Sequence, residues 1–185
     1  KNKYTRVIAI TDNVIPHEKR PGDKPFTRYF LKSCDAFITM SEKVMKDLRG
    51  FEPNKPAKQV LHPLYDNFGE AVSKEEARKK IGIDLIDKVL LFFGFIRKYK
   101  GLDMLLDAMQ KLSGVKLLIA GEFYEDAKLY QQRIDQLGIR DRLILRTGFI
   151  PDADVKYYLC AADCVIQPYR SATQSGVTPL AYHFE

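Results

Sequence analysis

Sulfur and imidazole are scarce in this chain of 185 residues, which holds three cysteines and three histidines. Cys34, Cys160 and Cys164 are too few and too embedded in apolar text for a disulfide framework or a zinc site, so buried thiols are expected. His17, His62 and His183 are too dispersed to form a metal cluster. No apolar run approaches the roughly 20 residues of a membrane-spanning helix. The opening "KNKYTRVIAITDN" also lacks the apolar segment and small-residue cleavage site of a signal peptide, so a cytoplasmic protein is expected. There is no G-x-G-x-x-G fingerprint and no P-loop, which argues against dehydrogenases and ATPases. Internal repeats and low-complexity segments are missing too. The first residue is not Met and the final "TPLAYHFE" reads as a helix in progress, so a piece of a longer chain is expected.

What is present is globular in character. Apolar residues make up 45% and charged residues 29%, enough for one large or two small cores. A net charge of +6 and a pI near 9.1 favour an acidic partner: a phosphorylated ligand, an anionic membrane face or nucleic acid. Nucleic acid fits poorly, because the basic residues are scattered among acidic ones and neither an RNP-type strand nor zinc-finger spacing occurs.

Strand and helix signals alternate along the chain. "RVIAIT", "AFITM" and "KQVLH" read as strands; "FTRYFLKSC" and "SEKVMKDLRG" read as helices, the second with Ser41 as N-cap and Gly50 near its stop. "PLYDNFGEAV" has turn residues and no clean period. "SKEEARKKIG" is a charged helix opened by a Ser73 to Glu76 capping box. The pattern then restarts with "KVLLFF", a helix from Leu102, "VKLLIA", a helix in "EDAKLYQQRIDQLG", "RLILRTG", the helix "DADVKYYLCAA", "DCVIQP" and a last helix. Such alternation implies α/β architecture with parallel sheets flanked by helices. The break near residues 62 to 73 divides it into two Rossmann-like domains, 1–65 and 75–185, joined by a flexing linker at 66–74, the first domain being represented by its closing portion.

The joint "LFFGFIRKYKGLDMLLDAM" passes from an apolar strand to an amphipathic helix through Arg97, Lys98 and Lys100. Strand ends of parallel sheets collect ligands, and the next helix adds free N–H groups and a positive dipole end, so cations here suit an anion. Taken alone, the joint fits solvated loop charges equally well. "QPYRSATQSGVTPLA" is more informative. Thr173, Gln174, Ser175 and Gly176 put small polar side chains and free amides before an apolar helix, an arrangement suited to a diphosphate or to a plain N-cap loop. "TGFIPDAD" ends a third strand. Its Asp152 and Asp154 follow Pro151 and open a helix, so capping and dipole compensation are favoured over metal binding.

In this order and spacing, "GFIRKYKG", "GFIPDADVKYYLCAADCVIQPYRS" and the loop before the last helix resemble the retaining glycosyltransferases of family 4, or group 1, with the GT-B fold. The family's Gly, Arg, Lys-Gly pattern is met by Gly94, Arg97, Lys100 and Gly101. The resemblance implies donor contacts at those residues and at Phe149, Ile150, Thr173, Gln174, Ser175, Gly176 and Val177. There are departures. Phe95 stands where the family has its Arg; Arg97 follows two residues on, an offset that keeps it on the same face if the strand persists. Thr173 and Ala181 fall where the family carries a pair of glutamates around the donor loop, and Asp12 and Asn13 occupy the place of a His at a first-domain strand end.

The chemistry the resemblance implies is transfer of a sugar, with retention, from a nucleotide-diphosphate sugar to a glycan or lipid-linked acceptor, in the context of bacterial surface polysaccharide. Negative charge grows on the leaving diphosphate, and preorganised cations stabilise it. Arg97 would grip phosphate oxygens with its planar fork and Lys100 would act as a point charge, while Lys98 is assigned to solvent. No cofactor and no metal is expected. Asp12 and His17 are the candidates for acceptor orientation or proton removal, the alternative being a polar loop with Glu18 and Lys19 solvated. Peripheral contact with an anionic membrane at the inner face is among the expected partners; nucleic acid is not. A nucleotide-sugar 2-epimerase of the same fold and a non-catalytic nucleotide-sugar-binding module remain the other readings.

Overall fold

The computed structural model describes residues 4–18, 20–63 and 66–185; Lys19, Leu64 and Tyr65 of the segments discussed above lie outside the described residues. The chain divides into two compact units: residues 1–63 with 171–176, and residues 64–170 with 177–185.

The first unit carries β1 (Ile8–Thr11), α1 (Asp23–Ser33), β2 (Ala36–Thr39), α2 (Glu42–Phe51) and β3 (Ala57–Gln59). Its three strands pair in parallel in the order β1-β2-β3, with Ile8 opposite Ala36 and Phe37 opposite Ala57. The side chain of Ser41 accepts from the Val44 amide, the cap read from the sequence. Gly50 lies near the stop of that helix, as read: it is the residue before Phe51, where α2 ends, and the cap falls at Glu52. Ala9, Val14, Leu31, Cys34, Phe37, Val44 and Leu48 form the core of this unit. The third strand begins at Ala57 rather than at Lys58, with Val60 still bonded through its amide to Thr39 O.

The second unit carries α3 (Lys74–Ile81), β4 (Val89–Phe93), α4 (Leu102–Lys111), β5 (Lys116–Ala120), α5 (Ala127–Leu137), β6 (Leu143–Arg146), α6 (Asp152–Ala161), β7 (Cys164–Val165) and α7 (Val177–His183). Its four strands are all parallel, in the order β6-β5-β4-β7. Period-two alternation sends Val89 and Leu91 to one face and Phe92 to the other, and both faces are covered, which is why the strand reads as one apolar run. Leu102, Leu105, Leu106 and Met109 recur at helical spacing and are all buried, so α4 presents the face that its sequence marks. Phe68 and Val72, in the segment read as a linker, pack against the core of this unit. Ser73 accepts from the Glu76 amide at 3.2 Å and opens α3.

A buried cation ties the unit together. Arg78 is 2% exposed and donates to Ala161 O, Leu85 O and Asp163 Oδ2, the last at 2.8 Å. Asp163 also accepts from the Val89 amide and from Lys74, so one carboxylate joins the start of β4 to α3. Burial raises the Asp163 pKa, but these donors outweigh it and the net shift is downward. The thiol expectation holds for Cys34 and Cys160 and fails for Cys164, which is exposed because β7 is a short strand at the edge of its sheet. No helix among the described residues is long and apolar enough to cross a membrane.

Candidate functional site

In the second unit the cationic joint is built by backbone contacts beyond the ends of β4 and β5. Gly94 turns the chain at φ 91, its amide donating to Ala120 O at 2.8 Å. The strand therefore does not persist to Arg97, and alternation along β4 does not set that residue's direction. An isolated parallel bridge between Ile96 and Phe123 takes over, with the Ile96 amide on Glu122 O at 2.8 Å and the Tyr124 amide on Ile96 O at 3.0 Å. A single 3-10 turn, Lys98–Lys100, follows, and its entry is pinned by the Lys98 amide donating to Glu125 Oε1 at 2.6 Å.

Two glycines shape what comes next. Gly101 has φ 72 and is the N-cap of α4 without any side-chain cap; a Cβ there would lie 2.1 Å from Pro168 O. At Gly94 a Cβ would lie 3.0 Å from Lys100 Nζ, so the missing side chain is what admits the ammonium. Lys100 is 9% exposed. No carboxylate or hydrogen-bond acceptor among the described residues meets it, and its Nζ stands 5.8 Å from the Tyr169 ring centroid. Burial first, and the neighbouring Arg97 charge second, push its pKa down to about 8. Arg97 places its guanidinium carbon 3.7 Å from the Tyr124 ring centroid and has no ion pair among the described residues. Lys98 is exposed, as assigned. Val177, the first residue of α7, is buried, with its Cγ2 3.8 Å from the position of a Cβ on Gly94. Gly94, Lys100, Gly101 and Val177 thus converge, with Arg97 beside them.

Phe149 and Ile150 diverge in exposure: Phe149 is 74% exposed, whereas Ile150 packs against the core. Asp152 and Asp154 lie in the first turn of α6, where they complement its dipole, but neither side chain caps it. Pro151 is the N-cap, and the Asp154 amide bonds to Pro151 O at 2.8 Å. Among the described residues no group of three or more His, Cys, Asp or Glu side chains could hold a metal ion.

The first unit gathers the other polar candidates. Asp12 follows β1, and its Oδ1 accepts from Gln174 Nε2 at 2.9 Å. The Thr173 hydroxyl donates to Asn13 Oδ1 and lies 3.4 Å from His17 Nε2, while His17 Nδ1 is 3.1 Å from the Ser171 hydroxyl. Burial lowers the His17 pKa below its ordinary value, with the Glu18 carboxylate opposing, so a neutral ring able to accept a proton is favoured near pH 7. Glu18 is half-buried: its Oε1 and that of Gln174 are shielded and have no hydrogen-bond partner among the described residues. Thr173 and Gln174 therefore spend their side chains on Asp12, Asn13 and His17. Reading the sequence paired neither loop with the other, and it passed over Tyr124 and Glu125 altogether; the aromatic and acidic text just after β5 was the available signal.

Residues 73–180, more than half of the chain, match the model of the family described as "Glycosyl transferases group 1". A protein of Bacillus subtilis (strain 168) named for teichuronic acid biosynthesis, the glycosyltransferase TuaC, is 26% identical over 84% of this chain and 38% of its own. Among solved structures, sucrose-phosphate synthase from Thermosynechococcus elongatus superposes with a TM-score of 0.78 at 16% identity, covering 92% of this chain and 46% of that one. Anabaena HepE, solved in complex with UDP-glucose, gives a TM-score of 0.73 at 15% identity, covering 86% and 46%. This chain spans less than half the length of each of the three. These likenesses give the fold as the α/β GT-B type, and on the match to its family model the chain belongs to the group 1 glycosyl transferases.

Proposed function

We propose that this chain serves a family 4 glycosyltransferase that moves a hexose, with retention of configuration, from a nucleotide-diphosphate sugar to a glycan or lipid-linked acceptor. The observation that carries the donor half of the proposal is Lys100: a lysine only 9% exposed, with no acidic partner among the described residues, at the carboxyl end of a parallel sheet. A buried charge of that kind is costly unless something anionic meets it. A diphosphate supplies what is needed, and Arg97 adds a second unpaired cation within the same turn. As the bond from the anomeric carbon to phosphate breaks, charge accumulates on the departing oxygens, and these cations stabilise it without reorganising.

Donor contacts are proposed at Gly94, Arg97, Lys100, Gly101, Phe149, Ile150, Thr173, Gln174, Ser175, Gly176 and Val177. Asp12 and the neutral ring of His17 are proposed to orient the acceptor or take its proton, and Glu18 Oε1 and Gln174 Oε1, without a partner among the described residues, are acceptors that a sugar hydroxyl would satisfy. HepE was solved with UDP-glucose, which supports a uridine or related nucleotide as the donor class. The proposed setting is the cytoplasmic side of the cell, including the inner face of an anionic membrane, and metal-free.

Calorimetric titration of UDP and GDP tests the donor site. Arg97→Ala and Lys100→Ala are each expected to weaken binding by about 1–3 kcal/mol, the range for charged hydrogen bonds, and Lys98→Ala to leave it unchanged. Chelator should have no effect on affinity. Equal affinities across wild type and all three variants would refute the assignment, and loss of binding in chelator would refute the metal-free reading. In a preparation competent for transfer, an inverted linkage in the NMR spectrum of the product would count against retention.

A further inference from the structure

Arg97 has lost the strand that was to aim it, yet its guanidinium carbon lies at stacking distance, 3.7 Å, from the Tyr124 ring centroid. That ring is itself braced. Phe95 meets it edge-on, with centroids 6.4 Å apart and planes at 74°. The backbone beneath is fixed by the Ile96 to Phe123 bridge, by the Tyr124 amide on Ile96 O and by Glu125 receiving the Lys98 amide. Both rings are more than half exposed, Phe95 at 54% and Tyr124 at 58%, so neither is explained as core.

We infer that Tyr124 is a positioning residue for Arg97: its ring holds the guanidinium by the face and leaves the N–H edge pointing free for diphosphate oxygens. A guanidinium offers two kinds of surface. Its flat face is weakly hydrated and stacks on aromatic rings, whereas all five donors lie in its plane, so stacking occupies none of them. An unsupported arginine side chain loses rotamer freedom when it binds an anion; one already stacked has lost that freedom on folding. Phe95, standing where the family carries its arginine, and Tyr124 together compensate for the displaced cation. The inference rests on the proposal that Arg97 meets the diphosphate.

The test is a double-mutant cycle on the whole chain, reading the dissociation constants of UDP, GDP and inorganic pyrophosphate by calorimetry. Tyr124→Leu keeps apolar bulk and removes the π face; it is expected to weaken binding about three- to tenfold. Tyr124→Phe keeps the face and is expected to stay within about twofold of wild type. In the Arg97→Ala background, Tyr124→Leu should add nothing, since its effect runs through the arginine. The side chain is exposed, and unchanged melting temperatures confirm that folding is intact. Losses that add in the double variant, a Tyr124→Phe protein as weak as Tyr124→Leu, or a Tyr124→Leu protein as tight as wild type would each overturn the positioning role while Arg97→Ala still weakens binding. An Arg97→Ala protein that binds like wild type, or no binding by wild type, would overturn the underlying donor reading and this inference with it.

Discussion

Gly101→Ala is expected to be the most destabilising of the single methyl additions near the cationic joint. Gly101 and Gly138 share a left-handed backbone, φ 72 and φ 62, but their surroundings differ. A Cβ on Gly138 would meet nothing within 4 Å, whereas one on Gly101 would lie 2.1 Å from a backbone oxygen, that of Pro168. Gly138→Ala should therefore cost the conformational strain alone, about 1–2 kcal/mol. Gly101→Ala adds overpacking of about 1–3 kcal/mol, because a carbonyl cannot rotate away as a flexible side chain would. For a chain of this size the sum corresponds to a melting temperature lower by roughly 5–15 °C. Differential scanning calorimetry of the two variants separates the contributions, and equal shifts would mean that the close approach of Gly101 to Pro168 is not there. Since Lys100 precedes Gly101 directly, the same variant should also bind UDP more weakly.

A second large effect follows from the titration of Lys100. Its pKa of about 8 in the ligand-free fold lies below the 10.5 of an unperturbed lysine, and a diphosphate beside it restores the upward pull on that value. Below pH 8 the ammonium is already charged and the anion binds directly. Above pH 8 the free protein has released the proton and must take it back, so affinity should fall by up to about tenfold per pH unit until the bound-state pKa is reached. Nucleotide phosphates carry their last ionisation near pH 6, outside this window. Titrations at pH 8.5 in buffers of different ionisation enthalpy should reveal proton uptake on binding, and Lys100→Met should abolish both that uptake and the slope. Stability moves the other way. A base whose folded pKa is depressed costs stability while it is charged, so the wild type should gain on Lys100→Met as pH rises from 8 towards 10.5. An affinity that stays level from pH 7.5 to 9.5 in the wild type would show that Lys100 does not meet the ligand.

Which features could be read in advance depended on how local their causes are. Ser41 and Ser73 cap their helices through amides three residues on, an interaction written in the sequence itself. The α4 face and the apolar strands follow from periodicity for the same reason. Gly50 marks the stop of α2 to within one residue, again a local signal. Arg97 misled. Its residue type and neighbourhood were legible, but its direction depends on Tyr124, which reaches it only because β4 and β5 are neighbours in the sheet. The bonds from Thr173 and Gln174 to Asn13 and Asp12 join segments at opposite ends of the chain. No spacing rule relates them, and only the folded backbone does.

The strand order has a consequence for the time course of folding. β7 pairs with β4 rather than with the strand before it, through two residue pairs, Leu90 to Cys164 and Leu91 to Val165. Its docking must close a loop containing α4, β5, α5, β6 and α6, and so little pairing returns little free energy for that closure. The β4–β5–β6 sheet, joined by nearer neighbours and longer registers, is expected to assemble first. Everything downstream of β7 then arrives late: Pro168 against Gly101, and the Arg170 amide on Tyr99 O at 2.8 Å. Lys100 would consequently remain hydrated, with an ordinary affinity for its proton, through most of the folding reaction, and become a largely buried cation only at the final step.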